Sequence, residues 1–380
     1  MTTATDIAAL KARCTALEKR ATATEGKTSA LSTAATALTA RVAKLEAVKP
    51  IDYSAQIAAL QKEVDDLRYI ISPTPSGPPY GSFNVMDYGA HANGSTDDAA
   101  HIQSAIDACY NAGGGTVYIP AGSYWVQSAH AVGSPLINLN MEVKSGVHIL
   151  GAGIGQTIIA SHGIASCSVF GCTDKSDFGV SGMSIIMDPA VHHYNPATGL
   201  GGDGDGVKIQ RGLRGAMSNL YISGAYIASN CMGSQDITYD NVTMYNASMG
   251  FSLKNNDEWA NSYTNNITCT NCAANGTISG NYALNSSDYG FRVYNDDNTD
   301  GLTNPVHNVT LIGCTVQDHV MGGFLVRFAE YPTLTNCTAT GNTGFGYYFN
   351  YATHYAMSGC TASGNGYNEL PYDGGNNSTP

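Results

Sequence analysis

The chain is poor in charged residues and in tryptophan. Only 13% of its 380 residues are charged and only two are tryptophan, whereas glycine accounts for 43. The sequence also lacks a run of 18 apolar residues, so we expect no insertion into a membrane. A glycine-rich chain with so few charges is typical of a turn-rich all-β protein and argues against an α/β enzyme.

Basic residues are scarce in the longer part of the chain. Residues 1–72 contain 10 Lys/Arg and 8 Asp/Glu, whereas residues 73–380 contain 8 and 22, so this longer part carries a net charge of −14. Such an acidic surface repels phosphates, and we therefore expect no nucleic-acid partner. The first residues, MTTATD, lack the basic start and apolar core of a secretory signal. We therefore expect synthesis in a host cytoplasm without a signal peptide.

A 23-residue repeat dominates the C-terminal third. Asn308–Cys314 aligns with Tyr331–Cys337 and with His354–Cys360, and the pair Gly323-Phe324 aligns with Gly346-Tyr347. Short Thr/Val/Ile strands joined by Asn-rich turns cannot bury their own apolar residues, so such units must stack on one another. Because no unit contains a helical pattern, the sequence predicts a parallel β-helix that rises about 4.8 Å per coil.

Four of the ten cysteines share one position of this repeat: Cys272, Cys314, Cys337 and Cys360. That position requires a small buried apolar side chain, and we predict reduced, stacked thiols there rather than disulfides. Cys269-x-x-Cys272 has no matching second pair, so it is weak evidence for a metal site.

A heptad pattern of apolar residues runs without a slip over residues 6–49 and resumes after Pro50. This pattern predicts a coiled-coil oligomerisation stalk over residues 1–72. Proline recurs in residues 73–82, which we interpret as a linker. Residues 364–380 are predicted to form a short polar tail.

The most specific stretch is Phe83–Val126, which contains FNVMDYGAHANGSTDD, a helical pattern over about residues 97–111, and GGGTVYIPAGSYWV. Thr96 is predicted to cap the helix, whose first turn would carry two carboxylates. The stretch resembles the N-terminal segment of the pectate-lyase-like superfamily, in which a short helix closes a right-handed parallel β-helix. The resemblance implies that fold for residues 83–363. It leaves the activity open, because lyases, hydrolases, epimerases and phage tailspikes share it.

A heptad stalk in front of such a segment resembles a bacteriophage tailspike or short tail fibre. This resemblance implies a homotrimer in the virion that contacts other tail proteins through its N-terminus and binds, and cuts, a bacterial surface polysaccharide. One alternative is a receptor-binding tail fibre without catalysis. Another is a bacterial polysaccharide-modifying enzyme such as a uronan epimerase. Tyr289–Tyr294 resembles the Tyr-Gly-Phe-Asp-Pro-His stretch of mannuronan epimerases, although Arg292 and Tyr294 replace the acid and the histidine.

Alternation along the strand that follows each Gly-Phe pair predicts which side chains point outward. Four of the eight basic residues of the longer part fall on this one face, which suits an anionic or hydroxyl-rich glycan; ordinary solvated strands are the alternative. With the aromatic residues nearby, the candidate substrate-binding residues are Lys254, Trp259, Arg292, Arg327 and Tyr348.

Two adjacent coils carry loops about twice as long as those of later coils, and they leave the same edge of this face. Asp257, Asp297 and Glu330 are in phase, so they are the candidate catalytic carboxylates of a glycoside hydrolase. Tyr294 is the candidate catalytic residue of a lyase. We expect no cofactor, although the Asp-rich loops would also suit Ca²⁺. The insertion of residues 188–205, with His192 and His193, is the alternative site.

Overall fold

We analysed a computed structural model, which describes residues 82–132, 137–161, 167–189, 204–255, 263–276, 288–295 and 304–373. The described residues form one continuous sheet system of 27 strands, β1–β27, and one α-helix, α1. Every pairing between these strands is parallel except that of β5 with β6. The strands stack in three columns, A, B and C, which form the three sides of a parallel β-helix.

Stack A contains β6 (Ile137–Glu142), β9 (Cys167–Thr173), β11 (Asp205–Gln210), β13 (Ile227–Met232), β15 (Met249–Lys254), β18 (Tyr289–Tyr294), β21 (Gly322–Glu330), β24 (Phe345–Thr353) and β27 (Tyr372–Asp373). Strand β5 (His130–Val132) pairs with β6.

Stack B contains β1 (Phe83–Asn84), β3 (Gly115–Ile119), β7 (Val147–Gly151), the first halves of β10 (Ser176–Met187), β12 (Leu213–Ser223) and β14 (Gln235–Tyr245), then β16 (Asn265–Thr270), β19 (Val306–Ile312), β22 (Thr333–Thr335) and β25 (Ala356–Ser358).

Stack C contains β2 (Asn93–Asp97), β4 (Gly122–Val126), β8 (Thr157–Ser161), the second halves of β10, β12 and β14, then β17 (Ala273–Asn275), β20 (Thr315–Gln317), β23 (Thr338–Thr340) and β26 (Thr361–Ser363).

A ladder of stacked aromatic rings fills the core behind stack A. The rings of Phe251, Phe291, Phe324 and Tyr347 lie on four successive coils, and their centroids are 4.3, 5.2 and 4.8 Å apart. All four side chains have no exposed surface. Burying one such side chain contributes about 1.5–3 kcal/mol. The aromatic residue after each repeated glycine therefore points into the core.

The glycine before each ring is explained by the narrow interior. A Cβ added to Gly290 would lie 2.3 Å from Cγ1 of Val316 on the opposite side of the coil. Any larger residue would push stacks A and C apart. In each Gly-aromatic pair, the glycine thus allows stacks A and C to approach closely, and the aromatic residue stacks on the rings of the neighbouring coils.

Helix α1 spans Ala99–Asn111 and closes the N-terminal end of the core with the buried face Ala99, Ile102, Ala105, Ile106 and Cys109. The helix predicted over about residues 97–111 is present and starts two residues later, whereas the prediction of Thr96 as its cap is wrong. Strand β2 runs through Thr96, whose Oγ1 accepts a hydrogen bond from Asn93. The two carboxylates bond backbone instead: Asp97 accepts from the Ala99 amide, and the fully buried Asp98 accepts from the amides of residues 91 and 92.

The cysteine column is present as predicted. Cys272, Cys314 and Cys337 are buried, Cys360 is partly exposed in the last coil, and all four are free thiols. Each later thiol donates to a carbonyl of the preceding coil, as Cys314 does to Cys269 O at 3.4 Å and Cys337 to Leu311 O at 3.5 Å. These bonds satisfy the weak S–H donors inside the solenoid.

The β-helix extends beyond its predicted end at residue 363. Tyr372–Asp373 pairs with β24, so residues 364–373 complete a last coil and do not form a free polar tail. The predicted stalk, residues 1–72, and nearly all of the linker, residues 73–82, lie outside the described residues. Within the described ranges, no helix is long and apolar enough to cross a membrane.

Candidate functional site: the outward face of stack A

The outward face of stack A consists of two rows of side chains in strand register. The first row is Lys208, Asn230, Ser252, Arg292, Leu325 and Tyr348, and the second is Gln210, Met232, Lys254, Tyr294, Arg327 and Asn350. Five steps between neighbouring strands give each row a length of roughly 24 Å. The register places the basic residues Lys208, Lys254, Arg292 and Arg327 on this one face, as strand alternation predicted.

Most of this face is not solvated strand surface. Ser252 is completely buried, and Asn230, Tyr294 and Leu325 are 5%, 4% and 6% exposed. These four positions are therefore not solvated, whereas the basic residues of the face, Lys208, Lys254, Arg292 and Arg327, are partly exposed. It also follows that Tyr294 does not offer a free ring for sugar stacking in this conformation.

Cationic groups lie over aromatic rings at the centre of the face. The guanidinium of Arg292 is 3.8 Å from the Tyr294 ring centroid, and Nζ of Lys254 is 5.7 Å from the same centroid on the neighbouring strand. Arg327, one coil later, places its guanidinium 4.8 Å from the ring of Phe328. Such cation–π contacts hold the long basic side chains in place without removing their charge.

The four basic residues outside this face are engaged with carboxylates. Lys144 and Lys175 both pair with Glu142, the second at 2.8 Å. Arg211 forms a bidentate pair with Asp174, and Arg214 forms one with Asp177 at 2.6 and 2.7 Å. The pairs of Lys175, Arg211 and Arg214 join neighbouring coils, so they stabilise the stacking of the coils.

Tyr289 lies beside the cationic centre and is 7% exposed. Burial raises the pKa of its hydroxyl above the usual value, and the charges of Arg292 and Arg327 partly oppose this shift. The phenol therefore stays protonated at neutral pH and can donate a hydrogen bond toward the face.

A carboxylate that the sequence reasoning passed over lies at the start of the first row. Asp205 is completely buried, and its Oδ2 lies 3.3 Å from Nζ of Lys208 and 3.2 Å from Nδ2 of Asn230. In the repeat, Gly206-Val207 aligns with Gly250-Phe251 and Gly290-Phe291, so the sequence did indicate that Asp205 lies at the start of a strand of this stack. The buried ion pair gives the face an acidic end next to its basic centre.

The two long loops begin at equivalent residues, Asn255 and Asn295. Both side-chain amides donate to the carbonyl of Asn304, at 2.6 and 3.0 Å, so the bases of the loops are tied together at one edge of the face. Three of the candidate residues on these loops, Asp257, Trp259 and Asp297, lie outside the described residues. The same holds for His192 and His193.

Glu330 lies around the corner from the face, at the end of β21. Its carboxylate approaches Nδ1 of His307 at 3.3 Å and Nδ1 of His354 at 3.6 Å. All three side chains are partly exposed, and His354 also stacks on Tyr331 at 4.7 Å. The candidate carboxylate thus has two imidazole neighbours that can exchange protons with it, which the sequence reasoning missed.

A second acid–imidazole pair is buried at the start of β18. His319 Nδ1 lies 2.7 Å from Asp288 Oδ1, and the amide of Val320 donates to the other oxygen. His319 accompanies Asn342 and Asn365 at the 23-residue shift, and their side chains bond the backbone of the preceding coil. His319 thus stands where the next two coils have asparagine, and this exception to the repeat could have revealed the pair in the sequence. The His319–Asp288 pair holds the start of β18, the strand that carries Arg292.

The first row ends in a cluster of aromatic rings. Tyr348 lies 4.9 Å from Phe345 and 6.0 Å from Tyr372, and Tyr367 stacks on Phe345 at 4.8 Å. Tyr367 is 48% exposed. The predicted binding residue Tyr348 therefore belongs to a larger aromatic surface next to the basic centre. Among the described residues, no cluster of three or more His, Cys, Asp or Glu could hold a metal ion.

The fold is a parallel β-helix closed by an N-terminal helix, and two family models match separate parts of it. Residues 82–188 match the family described as "Rhamnogalacturonase A/epimerase, pectate lyase-like". Residues 269–379 match the one described as "Right handed beta helix region". Each match covers less than half of the chain. The first match includes Phe83–Val126 and agrees with the resemblance seen there, and the second agrees with the β-helix described above.

Individual relatives include epimerases and a tailspike. Mannuronan C5-epimerase AlgE4 of Azotobacter vinelandii is 52% identical over 77 residues, which are 20% of this chain and only 13% of the epimerase. Its solved A-module has a TM-score of 0.50 at 22% identity, over 73% of this chain and 76% of the module. Tailspike gp49 of Acinetobacter baumannii bacteriophage Fri1, a capsular polysaccharide depolymerase, has a TM-score of 0.50 at 16% identity, over 75% and 51%. At these identities the structures show the fold alone.

Proposed function

We propose that the protein binds an acidic polysaccharide along the outward face of stack A and depolymerises it. The observation that carries the proposal is the cationic centre, in which Lys254, Arg292 and Arg327 lie on three successive strands. Lys254 and Arg327 lie in the same row two strands apart, roughly 10 Å, and Arg292 lies on the strand between them in the neighbouring row. A line of cations at this spacing suits a polymer that carries carboxylates or sulfates. The relatives support a glycan ligand, because they include an enzyme named for mannuronan and a capsular polysaccharide depolymerase.

A lyase reaction suits the described residues best. A uronate needs its carboxylate neutralised before the C5 proton can be removed, and Arg292 and Lys254 can neutralise it. Tyr294 lies against both cations and is the candidate group for proton transfer. Removal of the C5 proton forms a double bond between C4 and C5 and breaks the C4–O bond, and the departing oxygen takes up a proton.

A hydrolase reaction needs two carboxylates. Glu330 is available at the edge of the face, and Asp257 and Asp297 stay candidates on the two loops. Carboxyl groups about 5–5.5 Å apart suit a retaining enzyme and groups about 6.5–9.5 Å apart an inverting one. The products distinguish the two reactions, because only a lyase creates an unsaturated sugar end.

We propose further that the biological setting is a phage tail. The heptads of residues 6–49 support an oligomeric stalk, and the tailspike resemblance implies a trimer. The host surface glycan would be the ligand. A receptor-binding fibre without catalysis is the alternative within that setting. The alternative outside the phage setting is a bacterial uronan epimerase. The 52% identity to the mannuronan epimerase over 77 residues favours this alternative.

The test uses the purified full chain with polymannuronate, hyaluronan, iota-carrageenan and, as a neutral control, dextran. We expect calorimetric binding to at least one acidic polymer, none to dextran, and weaker binding at high salt because exposed charges are screened. Reducing ends and ultraviolet absorbance are measured on the same samples. Binding with no product would leave the receptor-binding alternative. Equal binding to dextran, or to none of the polymers, would contradict the proposal.

A further inference from the structure

Two neighbouring residues of the first row each carry a buried polar atom without a hydrogen-bond partner: Asn230 its Oδ1 and Ser252 its Oγ. The two residues are register partners on β13 and β15, so their side chains lie side by side in the first row. A buried polar atom without a partner is costly, and each one in a folded protein requires an explanation.

Poor packing of polar groups does not explain this pair. Ser229, which precedes Asn230 and points into the core, is equally buried, and its hydroxyl lies 2.9 Å from the hydroxyl of Tyr239. Asn230 itself uses its amide nitrogen to hold Asp205. The two unpartnered atoms therefore lie specifically on the outward side, in the row that leads to the cationic centre.

The neighbours of the pair are long and partly exposed. Lys208 precedes Asn230 in the row and Arg292 follows Ser252. Both are only partly buried, and the aliphatic stem of such a long side chain can shift while its charged end keeps its contact. A ligand that enters between the two stems would meet a polar floor between two cations.

We propose that Asn230 and Ser252 form a subsite that hydrogen-bonds the hydroxyl groups of one sugar ring of the polysaccharide. This inference rests on the proposed function. A side-chain amide oxygen can only accept, and a serine hydroxyl can both donate and accept, so the pair matches a group that donates. Sugar hydroxyls donate, whereas carboxylates and sulfates do not. The face thus recognises two features of the polysaccharide. Its cations bind the acidic groups, and Asn230 and Ser252 bind free hydroxyl groups beside them.

The test compares Ser252→Ala with the matched control Ser229→Ala. Calorimetry with polymannuronate oligomers measures affinity, and thermal unfolding measures stability. Ser252→Ala should weaken binding about threefold to tenfold, which is the value of one neutral hydrogen bond. Its melting temperature should not fall, because the lost hydroxyl has no partner. Ser229→Ala should show the reverse: a lower melting temperature and unchanged affinity.

A second probe is polymannuronate acetylated at its ring hydroxyls, which lacks the donors. The wild type should bind it more weakly than the free polymer, and Ser252→Ala should narrow that difference. The subsite is overturned if Ser252→Ala binds free polymannuronate as tightly as the wild type does. It is also overturned if the ratio of affinities for free and acetylated polymannuronate is the same in Ser252→Ala and in the wild type. If Arg292→Ala still weakens binding in that case, the proposed function stands without it. Failure of the wild type to bind any acidic polymer overturns both.

Discussion

The guanidinium of Arg292 lies 3.8 Å from the centre of the Tyr294 ring, two residues along the same strand. Both side chains point away from the core, and Lys254 approaches the same ring from the preceding coil. Both cations thus lie close to one phenol ring at the centre of the face. In the lyase proposed above, the cations would neutralise the uronate carboxylate and the phenol would take part in proton transfer.

Tyr294→Phe tests that chemistry. The variant keeps the ring under Arg292 and removes only the hydroxyl, so binding of acidic polysaccharide should be retained. Proton-transfer groups contribute roughly 10²–10⁴-fold to rate, and formation of unsaturated ends should therefore fall at least about 100-fold. The measurement is ultraviolet absorbance over time with polymannuronate, and Tyr331→Phe, at an exposed ring, is the control. Full activity of Tyr294→Phe would exclude this hydroxyl from the reaction.

Glu330→Gln tests the hydrolase alternative. The amide keeps the shape of the carboxylate but can neither hold nor release a proton, so the release of saturated reducing ends should fall about 100-fold. The affinity for the polysaccharide should stay unchanged, because Glu330 lies beyond the cationic centre that is proposed to bind it. His354→Gln serves as a companion variant: it removes one of the two imidazoles beside Glu330 and should lower the same rate by a smaller factor. A wild-type rate in Glu330→Gln would remove this carboxylate from the candidates.

The cysteine column predicts both chemical inertness and alkaline sensitivity. The hydrogen bond with Cys314, together with burial, raises the pKa of Cys337 from 9.0 to about 12. A raised pKa in the folded state means that the stabilisation is complete below about pH 9 and is lost as pH rises toward 12. Thiol reagents should therefore not label Cys314 or Cys337 in the native protein at pH 8.

Cys337→Asp should destabilise strongly, because it buries an unpaired charge. Cys337→Val is the matched control, since Val242 occupies the corresponding position of an earlier coil. Thermal unfolding measures both variants. Rapid labelling of Cys314 and Cys337 in the native protein, or equal stability of Cys337→Asp and Cys337→Val, would show that these side chains are not buried.

The repeat made much of the solenoid predictable. Its 23-residue shift and two-residue alternation placed Phe291, Phe324 and Tyr347 inside and Arg292 and Arg327 outside, because strand register conserves these directions from coil to coil. The last coil was missed, since Tyr372 follows an irregular segment that breaks the repeat. The start of α1 was missed because a β-strand runs through Thr96.

The polar contacts were less predictable. Asp205 with Asn230, Asp288 with His319, and Glu330 with His307 all join residues on different coils. Loops of unequal length separate these partners in the sequence, so spacing alone does not reveal which side chains meet. The burial of Tyr294 has the same origin: alternation gives the direction of a side chain but not what covers it.

The most direct test of the account removes two charges from the face and two from elsewhere. Arg292→Ala/Arg327→Ala and Arg211→Ala/Arg214→Ala change the net charge equally, but the second pair lies in inter-coil ion pairs away from the face. Affinity for polymannuronate, hyaluronan and iota-carrageenan is measured by calorimetry at low salt. We predict that the face variant binds at least about tenfold more weakly, the loss of one or more charged hydrogen bonds, while the control stays near wild type. Equal losses in both variants, or none in either, would contradict the claim that this face is the binding site.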